Sequence, residues 1–522
     1  LKKAGWGIMA LFLFACGDSD LLKFDNLEGV KNWEPDYQLQ LAYANYDVWK
    51  LIEQSDNGDT TLVREGDQIF IRHFQKDIVG LEVGKVIKLP EDIAHFFLKT
   101  PVPDTVVGQP LPKGFNFFLP EDSVSIAFEE GSLTRIEGRV SCRHELLHYT
   151  FGYKVKVEFT NVFLATGGQL FFEFSPNAEA AIESQDVIFD MASAPNQIKW
   201  KASIEILEEQ TVDTNVLNIG IWFKDFSFTR VEGMIKPQEV EIDEGEFNMD
   251  VEFWDNFDGS FNFANPKVDL TVRNQGLGVP VQMDMDFVAY GENGKSVLLT
   301  PKNNYKPEFE GWIPDGGEVV ETQSYDTTNS NIAELLSLPP KEKITYGGKI
   351  IVSPDSTHSS VILNTGSASV DAYVEIPLYL SVKNLLFRDT IDDINISDAD
   401  KIKEAQIIVR ANNQIPLGLG SGHLYLLDKE KNCIDSVKIE RFLDAPEIDA
   451  DGNVIPSEGE KETPPIVLSQ DNILHLNDTK YILVLVEATT SDEGKTPVVI
   501  KADAALELKL ILAAKLNLED VF

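Results

Sequence analysis

Apolar and polar residues alternate with a period of two along most of the chain from Gln38 onward. The runs KVKVEF (154–159), QLFFEF (169–174), KWKASIEIL (199–207), NIGIWFKDFSF (218–228), KVDLTV (267–272) and VQMDMDF (281–287) each set their apolar residues on one face of a strand. Clusters of Gly, Asn, Asp and Pro separate the runs, and that combination predicts antiparallel sheets with one buried face. Helical patterns are few. Asn331 and Glu334 have the spacing of a capping box, the segment stops at Pro339-Pro340, and Ser397 to Asp400 opens a second short turn. The expected fold class is all-β, a series of tandem antiparallel β-sandwich domains with few short helices.

The last run is the most regular. Leu506, Leu508, Leu510, Leu512, Ala514, Leu516 and Leu518 alternate with Glu507, Lys509, Lys515 and Asn517. Leucine favours helices, yet a helix would scatter these residues around its circumference, so the spacing predicts a strand. Two segments read as copies of one unit, LTVRNQGLGVPVQMDMDFVAYGENGKSV (270–297) and IIVRANNQIPLGLGSGHLYLLDKEKNCIDSV (407–437). Each has a strand with Val-Arg, an Asn-containing turn, an aliphatic-Pro pair (Val279-Pro280, Ile415-Pro416), a second strand and a charged hairpin ending in Ser-Val. Composition places boundaries as follows: a leader at 1–15, an acidic tether at 16–35, a β-rich N-terminal domain at 36–150 and a sandwich at 151–240. A second sandwich with the short helix near 331–338 covers 246–387, and a third, carrying an acidic loop at 444–465, covers 395–522. The segments 235–246 and 388–400 read as linkers.

Length and charge narrow the role. A chain of 522 residues holds several domains. With 45 Lys and Arg against 85 Asp and Glu, its net charge of −40 repels phosphate backbones and argues against nucleic-acid partners. Three cysteines cannot staple such a length, so the cores must be hydrophobic.

Lys2 and Lys3 precede an uncharged apolar run, Ala4 to Ala15, which is too short to span a bilayer but fits the core of a secretory signal. Leu13-Phe14-Ala15-Cys16 resembles the lipobox of bacterial lipoproteins, with Phe14 bulkier than usual, and Gly17-Asp18-Ser19-Asp20 resembles the surface-export signal of Bacteroidota lipoproteins. The resemblance implies acylation of Cys16, a bilayer anchor through it, and a place on the outer membrane facing the cell surface. Asn265 to Asn274 with Gly278-Val279-Pro280 resembles late-embryogenesis-abundant type 2 domains, which implies immunoglobulin-like sandwiches. Trp33-Glu-Pro35, the 329–340 helix segment and KEAQIIVRANNQIPL (403–417) resemble Bacteroidota outer-membrane lipoproteins more broadly, a likeness that carries no activity.

Several strings could carry chemistry. His144-Glu145-Leu146-Leu147-His148 is a literal H-E-x-x-H, which on a helix puts two histidines on one face to bind zinc and a glutamate to activate water. Its flanks, EGRVSC and YTFGYKVKV, read as strands and leave no room for that helix. Asp449, Asp451 and Asn453 partly resemble a calcium loop, although Gly452 falls at the fourth rather than the sixth position. Cys142 and Cys433 read as isolated thiols. No G-x-S-x-G, P-loop or G-x-G-x-x-G string is present. Asp104-Thr-Val, Asp122-Ser-Val, Asp389-Thr-Ile and Asp435-Ser-Val match a triplet that Bacteroidota O-glycosylate. Phe522 resembles the aromatic end of a barrel strand, but Asp520 breaks that pattern.

Phe96 and Phe97 in HFFLKTPVP (95–103) and Phe117 and Phe118 in GFNFFLPEDS (114–123) are candidate interface aromatics, and core filling explains them equally well. Trp33, Trp200, Trp222, Trp254 and Trp312 are candidate stacking platforms, with Trp222 reading as core. The leading expectation is a non-enzymatic accessory or scaffold subunit of an outer-membrane protein complex. Glycan or lipid binding is the alternative, and a zinc metalloprotease through 144–148 the remote one.

Overall fold

The computed structural model describes residues 36–516 apart from 50–59, 101–104, 106, 149–151, 176–181, 212–216, 249–256, 259–260, 292–293, 314–316, 339–342, 356–357, 393, 395, 397–398 and 458. The leader, Cys16 and the acidic tether therefore lie outside the described residues, as do Trp33, Trp254 and Phe522.

Numbering only the strands that build the sandwiches, the chain opens with β1 (Asp36–Asp47), β2 (Thr60–Glu65), β3 (Gln68–Glu82) and β4 (Ala94–Thr100). Unit I follows with β5 (Asn116–Ser125), β6 (Gly131–His148), β7 (Tyr153–Leu164), β8 (Gln169–Phe174), β9 (Ile182–Asp190), β10 (Gln197–Ile206) and β11 (Leu217–Ile235). Unit II holds β12 (Gln238–Asn248), β13 (Lys267–Gly278), β14 (Val281–Tyr290), β15 (Ser296–Leu298), β16 (Val319–Tyr325), β17 (Lys343–Val352) and β18 (Ser360–Pro377). Unit III holds β19 (Leu385–Ile391), β20 (Ile402–Asn413), β21 (Leu417–Leu427), β22 (Cys433–Ile439), β23 (Ile466–Leu468), β24 (Tyr481–Thr490) and β25 (Ala505–Leu516).

The three units repeat one antiparallel topology. One sheet carries the seventh, second and fifth strands in that order: β11-β6-β9, β18-β13-β16 and β25-β20-β23. The other carries the first, sixth, third and fourth: β5-β10-β7-β8, β12-β17-β14-β15 and β19-β24-β21-β22. The all-β tandem-sandwich expectation holds. The second–fifth and third–sixth pairs are those of an immunoglobulin sandwich, but the first, fourth and last strands sit on the opposite sheets.

Residues 36–150 do not fold together. Each of the first three long strands instead adds to the open edge of a unit's last strand, in reverse order along the chain: β1 to β25 in unit III, β3 to β18 in unit II, β4 to β11 in unit I. The N-terminal segment thus runs back along the whole molecule as a shared eighth strand. Gln68 bridges Lys501 and the Ala502 N–H donates to the Asp67 carbonyl at 2.9 Å where units II and III meet. Arg230 to Gly233 of β11 pair with Leu363 to Ser360 of β18 where units I and II meet. Unit I begins with β5 rather than at 151, and the expected linker 235–246 is mostly strand β12. The acidic stretch 444–465 is largely irregular, as expected.

Alternation fixes the cores. In β25, Leu506, Leu508, Leu510, Leu512, Ala514 and Leu516 are all buried, and the strand lies between β1 and β20. In unit I, Phe159 is fully buried, with its ring 5.2 Å from Phe223 and 5.6 Å from Phe172. The helix near 331–338 is a single turn, Ile332–Leu335, because the Asn331 side chain bonds Thr300 and Leu298 rather than capping. A helix that the patterning did not suggest, Gln470–His475, is capped by Ser469 with Asn472 in the position where Glu or Gln is usual.

The two segments that looked like copies, 270–297 and 407–437, occupy the same place, strands two to four of units II and III. Both corners are held by an asparagine side chain bonded to turn backbone and by a buried serine, with different spacing in the two copies. Asn274 bonds both the N–H and the carbonyl of Leu277, while Asn413 accepts from the Ile415 N–H and donates to the Leu417 carbonyl. The Pro280 carbonyl accepts from Ser353 N–H at 2.8 Å, and the Pro416 carbonyl from Ser491 N–H at 3.1 Å. Both serines are buried, and their hydroxyls donate to the carbonyls of Ile235 and Pro446 at 2.8 and 2.6 Å. Ser353→Ala and Ser491→Ala should each cost about 1–3 kcal/mol in chemical denaturation, because each leaves a buried carbonyl short of a donor. Losses below about 0.5 kcal/mol in both would show that water replaces the hydroxyl.

Candidate functional site

The H-E-x-x-H string lies on a strand. It forms the end of β6, where His144, Glu145, Leu146 and His148 pair with Ile221, Gly220, Ile219 and Asn218 of β11. Four residues of strand separate the histidine backbones by about 13 Å. On the helix of an H-E-x-x-H zinc site the two histidines stand one turn, about 6 Å, apart, so the strand does not reproduce that spacing.

The Asp449 turn also departs from a cation site. The Asp449 carboxylate accepts the backbone N–H groups of Asp451 at 3.0 Å and Asn453 at 2.8 Å, and the Asn453 amide as well. These bonds, the one from the Asn453 backbone foremost, hold its carboxyl below the usual carboxylate range. Gly452 sits at φ +79° with its would-be Cβ 2.3 Å from the Pro497 carbonyl, so the segment is a tight turn between the bridged residues Ile448 and Val454. The Asp449 carboxylate thus holds the turn together. Among the described residues no three His, Cys, Asp or Glu side chains gather as a metal site would require. Cys142 is buried in unit I and Cys433 is exposed in unit III, and neither is in a disulfide.

The four candidate phenylalanines divide by strand alternation. Phe96 points inward and stacks on Trp200, with centroids 5.1 Å apart and ring planes 13° apart, while Phe117 packs partly buried against the same core. Phe97 and Phe118 point outward, 47% and 79% exposed. Core filling thus accounts for Phe96 and Phe117, while Phe97 and Phe118 face solvent.

The outward residues sit in distinct settings on unit I. Phe97 meets Trp222 edge-on at 5.8 Å. Trp222, expected in the core, lies instead on the outer face with its indole over Gly220; a Cβ at Gly220 would fall 2.2 Å from that ring. Phe118 projects from β5 beside Ser203 of β10. Farther across the same sheet, Phe171 is 49% exposed beneath the Lys156 ammonium, which stands 4.7 Å from its ring centroid. Lys156 and Lys201 both pair with Glu158, and Lys154 pairs with Glu173. The Lys156 hydrogen bond, against some desolvation, lowers the Glu158 carboxyl below its ordinary range. Strands β4 and β5 lie at the same edge of the sandwich but on its two different sheets, so Phe97 and Phe118 project from opposite faces, Phe97 on the side of Trp222 and Phe118 on the side of Phe171. Trp200 and Trp312 are buried, which removes them as stacking platforms. Phe171 escaped the sequence reading and Trp222, named among the stacking platforms, read as core, although the alternation of QLFFEF and IWF placed both opposite buried neighbours.

No protein-family model matches the chain, and no curated protein matches it. Among solved structures it is similar to a crystal structure titled a "putative secreted protein" from Parabacteroides distasonis, 14% identical with a TM-score of 0.35, over 55% of this chain and 89% of that one. It is also similar to a structure of infectious bursal disease virus, Gx strain, 7% identical with a TM-score of 0.15, over 90% of this chain and 85% of that one.

Proposed function

We propose that the chain is a lipid-anchored outer-membrane lipoprotein, exposed at the cell surface, that serves as a non-enzymatic accessory or scaffold subunit of an envelope protein complex. The observation that carries this reading is the outward pair Phe97 and Phe118 on unit I, whose neighbours Phe96 and Phe117 already fill the core. Exposed aromatics of this size on a folded sheet are typical anchors of protein contacts. The lipobox-like residues ending at Cys16 and the acidic residues after it supply the anchor.

Extraction of the tagged protein in mild detergent, followed by sizing and mass spectrometry, tests the reading. A stoichiometric assembly is expected, and a lone monomer overturns it. Phe118→Ser should leave stability within about 0.5 kcal/mol, as at other exposed sites, while reducing the co-purifying partner several-fold. Equal partner recovery from this variant would remove Phe118 from the interface. The alternative, glycan binding, draws on the Trp222 indole seated over Gly220 with Phe97 against it. Retention on a glycan array that Trp222→Ala abolishes would favour that alternative.

A further inference from the structure

The N-terminal segment gives the molecule a direction. Asp36, the first described residue, pairs with Lys515 at the end of β25, and Asp47 pairs with Ala505 at its start. The start of β25 adjoins unit II, since Val48 N–H donates to the Ala504 carbonyl and Ala502 N–H to the Asp67 carbonyl. Asp36 therefore lies at the end of unit III remote from unit II. The turn before β24 lies at that end too, with the Asn477 side chain accepting from the Ala399 N–H just ahead of β20.

From there β3 crosses unit II. Phe70 pairs with Pro377 near unit III, and Glu82 with Ser367 toward unit I. In unit I, β4 runs outward from Ala94, paired with Phe223, to Thr100, paired with Leu217. The Gly114 N–H donates to the Ile206 carbonyl at 2.8 Å, so the start of β5 lies at this outer end beside Tyr153, which pairs with Ile206. Strands of ten to twelve residues per unit at about 3.3 Å each give a span of roughly 100 Å from end to end.

We propose that the protein stands with the remote end of unit III at the membrane and holds unit I, with Phe97 and Phe118, outermost. This rests on the reading of Cys16 as the lipid anchor. Residues 17–35 separate that cysteine from Asp36, and at most about 3.5 Å per residue caps their reach near 70 Å, short of the molecule's length. The anchor thus holds unit III close and leaves unit I, with Phe97 on one face and Phe118 on the other, toward a partner in the outer space.

Energy transfer to acceptor lipids tests the orientation in acylated full-length protein reconstituted into vesicles. Donors are attached at Lys113→Cys, at the outer end of unit I, and at Asp478→Cys, at the remote end of unit III, both in a Cys433→Ser background. Transfer from position 478 should exceed transfer from 113 several-fold. Equal transfer, or stronger transfer from 113, in protein whose N-terminal peptide carries acyl chains overturns the orientation alone. A product that lacks acyl chains and leaves the vesicles overturns the anchor reading and the orientation with it.

Discussion

Deleting residues 36–49 should destabilise unit III by about 4 kcal/mol and leave units I and II nearly as stable as before. The strand removed, β1, covers the edge of β25 over the register from Asp36–Lys515 to Asp47–Ala505. It brings Leu39 and Leu41 against the core, and Leu41 borders a small apolar space with Ile394, Ile407, Leu424, Ile482 and Leu510. Val48, just beyond it, is 8% exposed. Burying aliphatic side chains contributes about 1.5–3 kcal/mol each, and the entropy of ordering the segment offsets part of that. The deletion also turns β25 into an edge strand with open N–H and carbonyl groups, so the shortened chain should aggregate sooner on heating. Hydrogen exchange resolves the units: amides of 505–516 should lose protection while those of β6 and β13 keep it. Unchanged protection across 505–516 would show that β1 adds nothing to the fold.

That strand could not have been assigned to its partner from the sequence. Period two in β1 and β25 shows that each is a strand with one buried face, and burial of Leu506 through Leu516 follows from it. Which strands pair depends on backbone hydrogen bonds that leave no residue signature, and here the partners lie at opposite ends of the chain. The boundary at 150 failed for that reason, since composition cannot report that 36–100 is divided among three units. The repeat was legible only where side chains enforce it. Units II and III keep an asparagine and a proline at the corner because the turn needs a local acceptor and a fixed φ. Unit I has the same strand order without an aliphatic-Pro pair, so pattern matching did not reach it.

The candidate chemistry was legible to different depths. H-E-x-x-H requires helical spacing, and the strand-like flanks of 144–148 already contradicted it; β6 confirms them. For the phenylalanine pairs the alternation itself held the answer, as adjacent residues on a strand must face opposite ways. Treating Phe96 with Phe97, or Phe117 with Phe118, as a block concealed it. Trp222 was misplaced because the sequence does not show that Gly220, two residues away on the same face, leaves room for an indole to lie flat outside the sheet.

Replacing Arg273 with alanine should cost about 1–3 kcal/mol, more than the loss of one fully exposed ion pair. Its partner Asp371 is 2% exposed on β18, at the point where the pairing with β3 shifts register. One carboxylate oxygen accepts from Arg273 Nε at 3.0 Å, and the other from the Asp77 N–H at 2.9 Å. Asp77 occupies the left-handed region at φ +53°, so this carboxylate fixes the bulge that keeps β3 on the edge of unit II. Surface ion pairs are worth under about 1 kcal/mol, and Arg273 is itself 43% exposed, but Asp371 is buried, so removing the guanidinium leaves that carboxylate one donor short. The pair Arg273→Met with Asp371→Leu should recover part of that loss by removing that carboxylate, which a double-mutant cycle would register as coupling. A cost below about 1 kcal/mol for Arg273→Ala would mean that water reaches Asp371. Because β3 connects β1 to β4, a weakened bulge should also lower hydrogen-exchange protection in β25 and β11, the edges that the same segment covers. A loss confined to unit II would show instead that each unit holds its borrowed strand independently.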